Sequence, residues 1–377
     1  MGLCAALCAA RRGLEVTLLE QNFRGYARGH AAILHPASLR VIADLGLSHQ
    51  LLTEGRALNC IDLYYDGSHV QSLDLPQPAL VVPQAALEEI LLRALRRERV
   101  HVKLSHEVTA LEQKSDCVRA TVERRELVTL GSPANYSEWQ PIDRSIVEAR
   151  FVIGADGYQS FVRSALGVDN LQAGPTETFA MFEGPEFAPG ANLQLAFGAE
   201  CVSAALALAK SRARWGFQLG SELEREPNLD FLRSLLKRSF PWLVGEPESV
   251  EWSVVTHFER RSARHFGNQR TWLVGDAAHV TGPFGGQSMN VGLLEANALV
   301  EHIASCIYQQ KPLATLEQWG AERECEWHRL LVAQAQIEAH PHAPGWLQGQ
   351  LSRLIPALPA SGRELDQLLR ELGLVFH

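Results

Sequence analysis

The sequence predicts an α/β protein with a second, mostly antiparallel β-sheet and a helical C-terminal region. Three observations predict it. Two apolar runs, Phe151-Val152-Ile153 and Thr271-Trp272-Leu273-Val274, each lead into a small-residue turn that carries an aspartate: Gly154-Ala155-Asp156-Gly157 and Gly275-Asp276-Ala277-Ala278-His279. An apolar N-terminal helix beginning at Gly2 passes through Arg11-Arg12-Gly13 into the strand-like Glu15-Val16-Thr17-Leu18-Leu19-Glu20. Residues 176–260 alternate short strand-like runs with turns, whereas the chain from about 296 onward is largely helical.

Residues 2–20 read as helix then strand, the latter part of a Rossmann-like dinucleotide-binding βαβ unit. Gly2 stands where the last glycine of G-x-G-x-x-G would fall, and Glu20 ends the second strand, where an acid reaches ribose hydroxyls. Residues 37–54 read as helical, and 58–75 as an antiparallel pair turning near Asp66-Gly67. A helix over 84–98 carries Leu87, Leu91 and Leu95 at i, i+4 spacing. Its basic end, Arg93 to Arg99, suits a solvated helix C-terminus better than a phosphate site. Strands near 100–112 and 116–125 follow. Then comes an irregular polar stretch from Gly131 to Asp143, with Pro133 and Pro141, before the strand that runs into Asp156. The plain reading of that turn is a cap: Asp156 would start the helix bearing Ser160 and Arg163. Pro341, Pro344, Pro356 and Pro359 divide the C-terminal region into short pieces.

The turn at Asp276 continues through Pro283-Phe284-Gly285-Gly286-Gln287-Ser288-Met289-Asn290 into a helical stretch, Val291 to Val300. A strand ending in Gly-Asp, a glycine-rich loop and a helix N-terminus make a cofactor cradle. The acid accepts from a sugar or polyol hydroxyl, and the glycines let backbone N–H groups approach a flat or anionic group.

Composition excludes several other classes. Of the 377 residues 46% are hydrophobic and 21% charged, as in a globular protein with an ample core. A net charge of −8 argues against a general binder of nucleic acid or acidic membrane. No apolar run approaches the roughly 20 residues needed to span a bilayer. The apolar opening resembles a signal core, but Arg11-Arg12 follows it instead of preceding it. Seven scattered cysteines without a C-x-x-C predict free thiols in a reducing cytoplasm. No metal site is expected: the one close histidine pair, His340-Pro341-His342, reads as a surface loop.

Taken in this order along the chain, the Gly2–Glu20, Asp156-Gly157 and Asp276–Asn290 segments resemble the FAD-dependent aromatic hydroxylases of the para-hydroxybenzoate hydroxylase type. The resemblance implies that Gly2 and Glu20 serve the adenosine half of FAD. It places Asp156 and Gly157 between cofactor and reductant, and Asp276 on the ribityl chain. Pro283, Gly285, Gly286 and Asn290 would lie along the isoalloxazine ring. Weaker matches at Arg28-Gly29 and Val82-Pro83-Gln84 imply that Arg28 and Gln84 also touch FAD. The implied domains are a discontinuous FAD-binding domain (1–64, 84–166 and 262–314), a substrate domain (65–83 and 167–261) and a C-terminal helical region (315–377). The implied reaction uses NADPH or NADH and O2 to hydroxylate an aromatic small molecule through a flavin C4a-hydroperoxide, in a monomer or homodimer. No second dinucleotide fingerprint is present, which agrees with the family.

The second sheet would form an apolar lid, with Phe179, Phe182, Leu195, Phe197, Trp215 and Phe217 as candidates, each also an ordinary core residue. His257, Tyr64 and Arg214 are candidates for activating a phenol, and His279 reads as structural. Three departures from the family pattern stand out. Ser288 replaces a loop glycine, and Glu295 replaces an aspartate. The first strand and first glycines of the nucleotide motif do not precede Gly2, so a start assigned too far downstream is expected. Other readings are an FAD-dependent reductase or oxidase of the same fold, or a truncated, non-catalytic fragment. The W-x-W pair and lysine of flavin halogenases are absent. Ala213–Gln218 keeps only the Trp and Phe of the prenyl-lipid reductase box.

Overall fold

The structure, a computed structural model, describes residues 1–23, 31–131, 136–187, 192–220, 226–332, 337–339 and 343–376. Alternating apolar residues build its largest sheet. Eight strands lie in the spatial order Trp252–Phe258, Glu177–Pro185, Arg212–Leu219, Val202–Leu208, Leu193–Phe197, Arg56–Tyr65, Ser68–Pro83 and Ala31–Leu34. Neighbours are antiparallel except Leu193–Phe197 with Arg56–Tyr65. The predicted hairpin turns at Asp66 and Gly67, whose φ values of 47° and 77° match the right-handed twist of the paired strands.

Because side chains alternate across a strand, this sheet has two different faces. Phe179, Met181, Leu195 and Phe197 point into one core, whereas Ala180, Phe182, Trp215 and Phe217 point into another beneath the helix Leu229–Ser239. The first face is covered by the C-terminal region: Leu347, Leu354, Ile355, Leu358, Leu365, Leu368 and Leu372 are all buried against it. Residues 343–376 therefore form a packed layer, not a tail, and include a strand, Leu374–Phe376, paired with Ile337–Ala339.

The other half of the molecule is the α/β part. Leu18–Glu20 runs parallel to Val102–Leu104, and Val152–Gly154 runs parallel to Thr271–Leu273. Among the described residues these are separate pieces of sheet. Three helices, Gly2–Arg11, Gln84–Arg97 and Gln287–Tyr308, share a core. In it Leu7 and Cys8 meet Leu87, Leu91 and Leu95 and the 287–308 residues Leu293 and Val300. Each leucine so buried contributes about 1.5–3 kcal/mol.

Three expectations need correction. The stretch from Gly131 to Asp143 is not irregular throughout: Tyr136–Ala149 is a strand paired with Val118–Leu130. Pro141 is tolerated because this strand lies at the edge of its three-stranded sheet, beside a bulge at Arg124/Arg125. The helix Leu229–Ser239 interrupts the run of strands. The boundary expected between 64 and 65 falls inside one hairpin whose two strands both belong to the large sheet, because its strands hydrogen-bond from Arg56 onward.

Candidate active site

The two aspartate turns lie side by side because their strands are parallel neighbours, with Gly154 opposite Leu273 and the N–H of Val274 donating to Gly154 O at 3.0 Å. In open parallel sheets, ligands bind beyond such carboxyl ends. Gly154 permits the close fit: a Cβ there would sit 2.7 Å from Val162 and 2.9 Å from Leu273.

Every residue from Thr271 to Val280 is buried except Asp276. A tight turn, Gly275–Ala277, made at a positive φ of 63° by Gly275, turns this one acid outward. Its carboxylate has no hydrogen bond to another described residue. Asp156 is different. Its two oxygens accept from Ser160 Oγ at 2.5 Å and Val162 N at 2.9 Å, so it braces the first turn of the short helix Phe161–Ala165, whose N-cap is Ser160 and not Asp156: Ser160 Oγ accepts from Arg163 N at 2.9 Å. Gly157 follows at φ 80°, with open space where a Cβ would be.

Arg163, flagged only as part of the motif, turns out to join the two turns. Its buried guanidinium donates to Ala277 O at 2.7 Å and Tyr158 O at 2.9 Å. Burial, and the Arg261 cation nearby, pull its pKa down. Two donor bonds to carbonyls keep such a group in place at its charged form. His279 has the structural role expected. Its Nε2 lies 2.5 Å from Glu295 Oε2, while Glu295 Oε1 accepts from Trp327 Nε1 at 2.7 Å and the imidazole stacks on Trp327 at 3.7 Å.

The glycine-rich loop is held from both sides. Gly285 donates to Pro356 O at 3.0 Å, and a Cβ on it would overlap the carbonyls of Pro356 and Leu358. Gly286, at φ 66°, is the N-cap of Gln287–Tyr308, a 22-residue helix whose first turn carries no side-chain cap. Asn290 is wholly buried: its amide donates to Ile33 O at 2.6 Å and Gly286 O at 2.9 Å, and its oxygen accepts from His35 N at 2.7 Å. The Asn290 side chain is thus a clasp within the fold. Ser288 is helical, so no glycine-only dihedral is needed there, and its hydroxyl accepts from Thr281 N at 2.6 Å.

Sequence reading missed His35. Its ring is buried between Gly285 O (Nε2, 2.8 Å) and Ser361 Oγ (Nδ1, 3.1 Å), and burial lowers its pKa to about 4. A carbonyl can only accept, so Nε2 carries the proton and Nδ1 accepts from the serine. No sequence pattern around His35 announces this.

The remaining expected residues are more dispersed. Glu20 uses Oε1 to accept from Asn22 N and Nδ2 at 2.9 and 2.8 Å. Gly2 opens its helix, with its missing Cβ 3.5 Å from that of Ala155. Gln84 starts its helix and donates to Glu88 at 2.8 Å. Pro283 is half-buried beside Phe284. Arg28, and the His340–His342 loop, lie outside the described residues. Of the proposed lid, Phe179, Leu195 and Phe197 face the glycine loop's side of the sheet, but Phe182, Trp215 and Phe217 face the opposite core. Period-2 alternation puts them there.

The same alternation removes two candidates for a base. Tyr64 stacks on Trp242 at 3.7 Å and belongs with the far core, and His257 occupies the far-face register opposite Thr178, with which it hydrogen-bonds at 3.0 Å. Arg214 does face the loop side, but it is buried in an ion pair with Glu183 and donates to Ala31 O at 2.8 Å. No group of three or more metal-ligating side chains occurs among the described residues.

An outward-facing acid at a parallel strand end, tied to a second turn and followed by a loop and an uncapped helix N-terminus, suits a cofactor with both hydroxyl and flat, electron-rich parts. Together with the large antiparallel sheet facing the loop, it fits the architecture of the flavoprotein hydroxylases. The sequence profile of the FAD binding domain family matches residues 1–333, and the chain belongs to this family. It is 26% identical to the rifampicin monooxygenase of Streptomyces venezuelae, over 88% of this chain and 68% of that protein. Its fold matches the p-nitrophenol 4-monooxygenase of Pseudomonas putida at a TM-score of 0.74 and 17% identity, covering 98% and 90% of the two chains. It matches aklavinone-11 hydroxylase, solved with FAD and aklavinone, at 0.70 and 20% identity, covering 89% and 65%. The chain spans 55–68% of the length of the first curated relatives it matches.

Proposed function

We propose that this chain is an FAD-dependent monooxygenase that uses NADPH or NADH and O2 to hydroxylate an aromatic small molecule. The observation that carries this reading is Asp276, the one exposed residue of a buried strand-and-turn, set at the start of the loop that faces the large sheet. The residues present fit FAD. Asp276 offers an acceptor to a polyol, and Gly157 leaves its side of the neighbouring turn open. The uncapped first turn of Gln287–Tyr308 offers N–H groups to an electron-rich ring edge. Gly2 and Glu20 are assigned to the adenosine half, and Arg28 and Gln84 to further contacts with FAD. Pro283, Gly285, Gly286 and Asn290 shape the loop along the ring.

When bound, FAD supplies the hydride acceptance and oxygen activation. This chain's residues do the holding. Arg163 fixes the Asp276 turn against the Asp156 turn, so the acid is presented from a rigid base. His35 and Pro356 hold the peptide groups around Gly285. Phe179, Leu195 and Phe197 keep the loop's side of the sheet apolar and exclude water, which protects reactive species from hydrolysis. Among the described residues no side chain on this face is placed as a general base, so a substrate already electron-rich is the better fit.

The proposed division is an FAD-binding part in two layers around Gln287–Tyr308, with the sheet of residues 56–83 and 167–261 as the substrate part. The C-terminal layer covers that sheet. All seven cysteines are free thiols, which favours a reducing compartment such as the cytoplasm. No described helix is long and apolar enough to cross a membrane. A monomer or homodimer is the proposed state. The test is the visible spectrum of the purified chain after FAD addition and desalting. Retained bands near about 370 and 450 nm support the reading, because oxidised flavin absorbs there. A colourless protein refutes cofactor binding by this chain.

A further inference from the structure

Between the glycine loop and the large sheet lies a slot that is already filled by an aromatic ring. Phe284, between Pro283 and Gly285, is buried and meets Phe179 edge-on at 5.3 Å and 89°. The strand Arg212–Leu219 makes room for it only because residue 216 is glycine. A Cβ on Gly216 would collide with Cε1 of Phe284 and lie 2.9 Å from Met181 Sδ. The walls are thus Phe179, Met181 and the bare backbone at Gly216.

We propose that this slot is the aromatic subsite for the substrate and that Phe284 is its gate, a specificity-determining residue that sets how wide a ring system can enter. The inference rests on the monooxygenase reading, because that reading lays the cofactor ring along the loop Phe284 belongs to. Three features of the slot support it. Its walls are an aromatic edge, a thioether and a glycine, all of which accept a flat apolar ring. Its occupant immediately precedes Gly285 and Gly286, so a ring in its place would lie against the loop. Torsion about the Phe284 side chain also needs no break in the bond by which the next residue, Gly285, is pinned to Pro356 O.

The test is equilibrium binding of phenol, 2-naphthol and 2-hydroxyanthracene to the FAD-loaded wild type and to F284A, F284L and F284A/G216V. Binding is read from perturbation of the flavin spectrum and independently from thermal shift. Truncating a buried ring leaves an apolar cavity that takes up aromatic molecules, so F284A should bind 2-naphthol at least about tenfold more tightly than wild type. F284L should gain less, and G216V on the F284A background should abolish the gain by refilling the slot. Wild-type affinities for all three ligands in F284A and F284L, with FAD retained, would overturn the proposal. So would a gain that survives G216V. If the wild type itself retains no FAD, the cofactor reading fails, and thermal shift with the ligands alone still judges the slot: equal shifts in wild type and F284A overturn it.

Discussion

His35 gives the stability of this protein a pH dependence that can be isolated. In the folded chain burial holds the imidazole neutral down to about pH 4, against an ordinary value of 6.5. Unfolded, it takes a proton near its ordinary value. Between these two pH values the unfolded chain binds more protons than the folded one, so stability falls as the pH drops. The contribution is fully present above about pH 6.5 and is lost on the way down to about pH 4. The drop of the imidazole pKa from 6.5 to about 4 corresponds to about 3 kcal/mol. The perturbation is H35Q, whose amide N–H reaches Gly285 O as Nε2–H does but does not titrate. Urea denaturation, followed by the fluorescence of the eight tryptophans at pH 7, 5.5 and 4.5, compares the two chains. All other acids and histidines are common to both and cancel in the difference. Wild type should lose about 2 kcal/mol more than H35Q between pH 7 and 4.5. Parallel curves would refute the claim that His35 is buried and neutral between Gly285 and Ser361.

Removing the Asp276 acceptor by D276A should abolish FAD retention on desalting while leaving thermal stability within about 0.5 kcal/mol, since the side chain is exposed and bonds to no described residue; unchanged retention would exclude Asp276 from the cofactor site. G285A should destabilise by about 1–3 kcal/mol, because its Cβ overlaps two carbonyls. Limited proteolysis should then cut first in 351–361, and a variant with wild-type melting and digestion would show that the layer does not press on the loop. E295A strips His279 and Trp327 of a shared buried acceptor and should cost about 3–5 kcal/mol. Chemical denaturation decides it, and a loss under about 1 kcal/mol would mean that water replaces the carboxylate.

What was legible in the sequence was local. The turn at Asp66-Gly67, the Leu87/Leu91/Leu95 helix and the strand ends before Asp156 and Asp276 depend on residues within one turn or one strand, and all of them form as read; the cap after Asp156 falls to Ser160 instead. The helix Leu229–Ser239 had its signals in view: Asn228 caps Phe231 N, Phe231, Leu232, Leu235 and Leu236 are buried, and Lys237 and Arg238 close it. The strand-like alternation of the surrounding segment masks these signals. The strand Tyr136–Ala149 was hidden by Pro141, whose cost vanishes at a sheet edge. Which aromatic residues of the second sheet face the loop depends on register, and register is set by long-range pairing. Three of the six lid candidates therefore lie on the wrong face.

The contacts that fix the loop geometry were least legible, because they reach across the chain. Gly285 is held by His35, about 250 residues earlier, and by Pro356, about 70 residues later. Gln287 adds a bond from its amide to Ile355 O at 2.8 Å. A loop with two glycines has many accessible conformations, and glycine gives up more entropy on ordering than any other residue. The prolines of the C-terminal region, which read as breaks in a tail, work against that cost. Pro356 sits inside the helix Leu351–Ala357, near its end, and Pro359 follows it. Proline offers no N–H of its own, and the carbonyls of Pro356 and Leu358 point at Gly285. The C-terminal layer is in this way a template for the loop. It follows that loosening that layer should disturb the loop before it disturbs the three-helix core, which among the described residues is built from residues up to Val300 and not from the 343–376 layer.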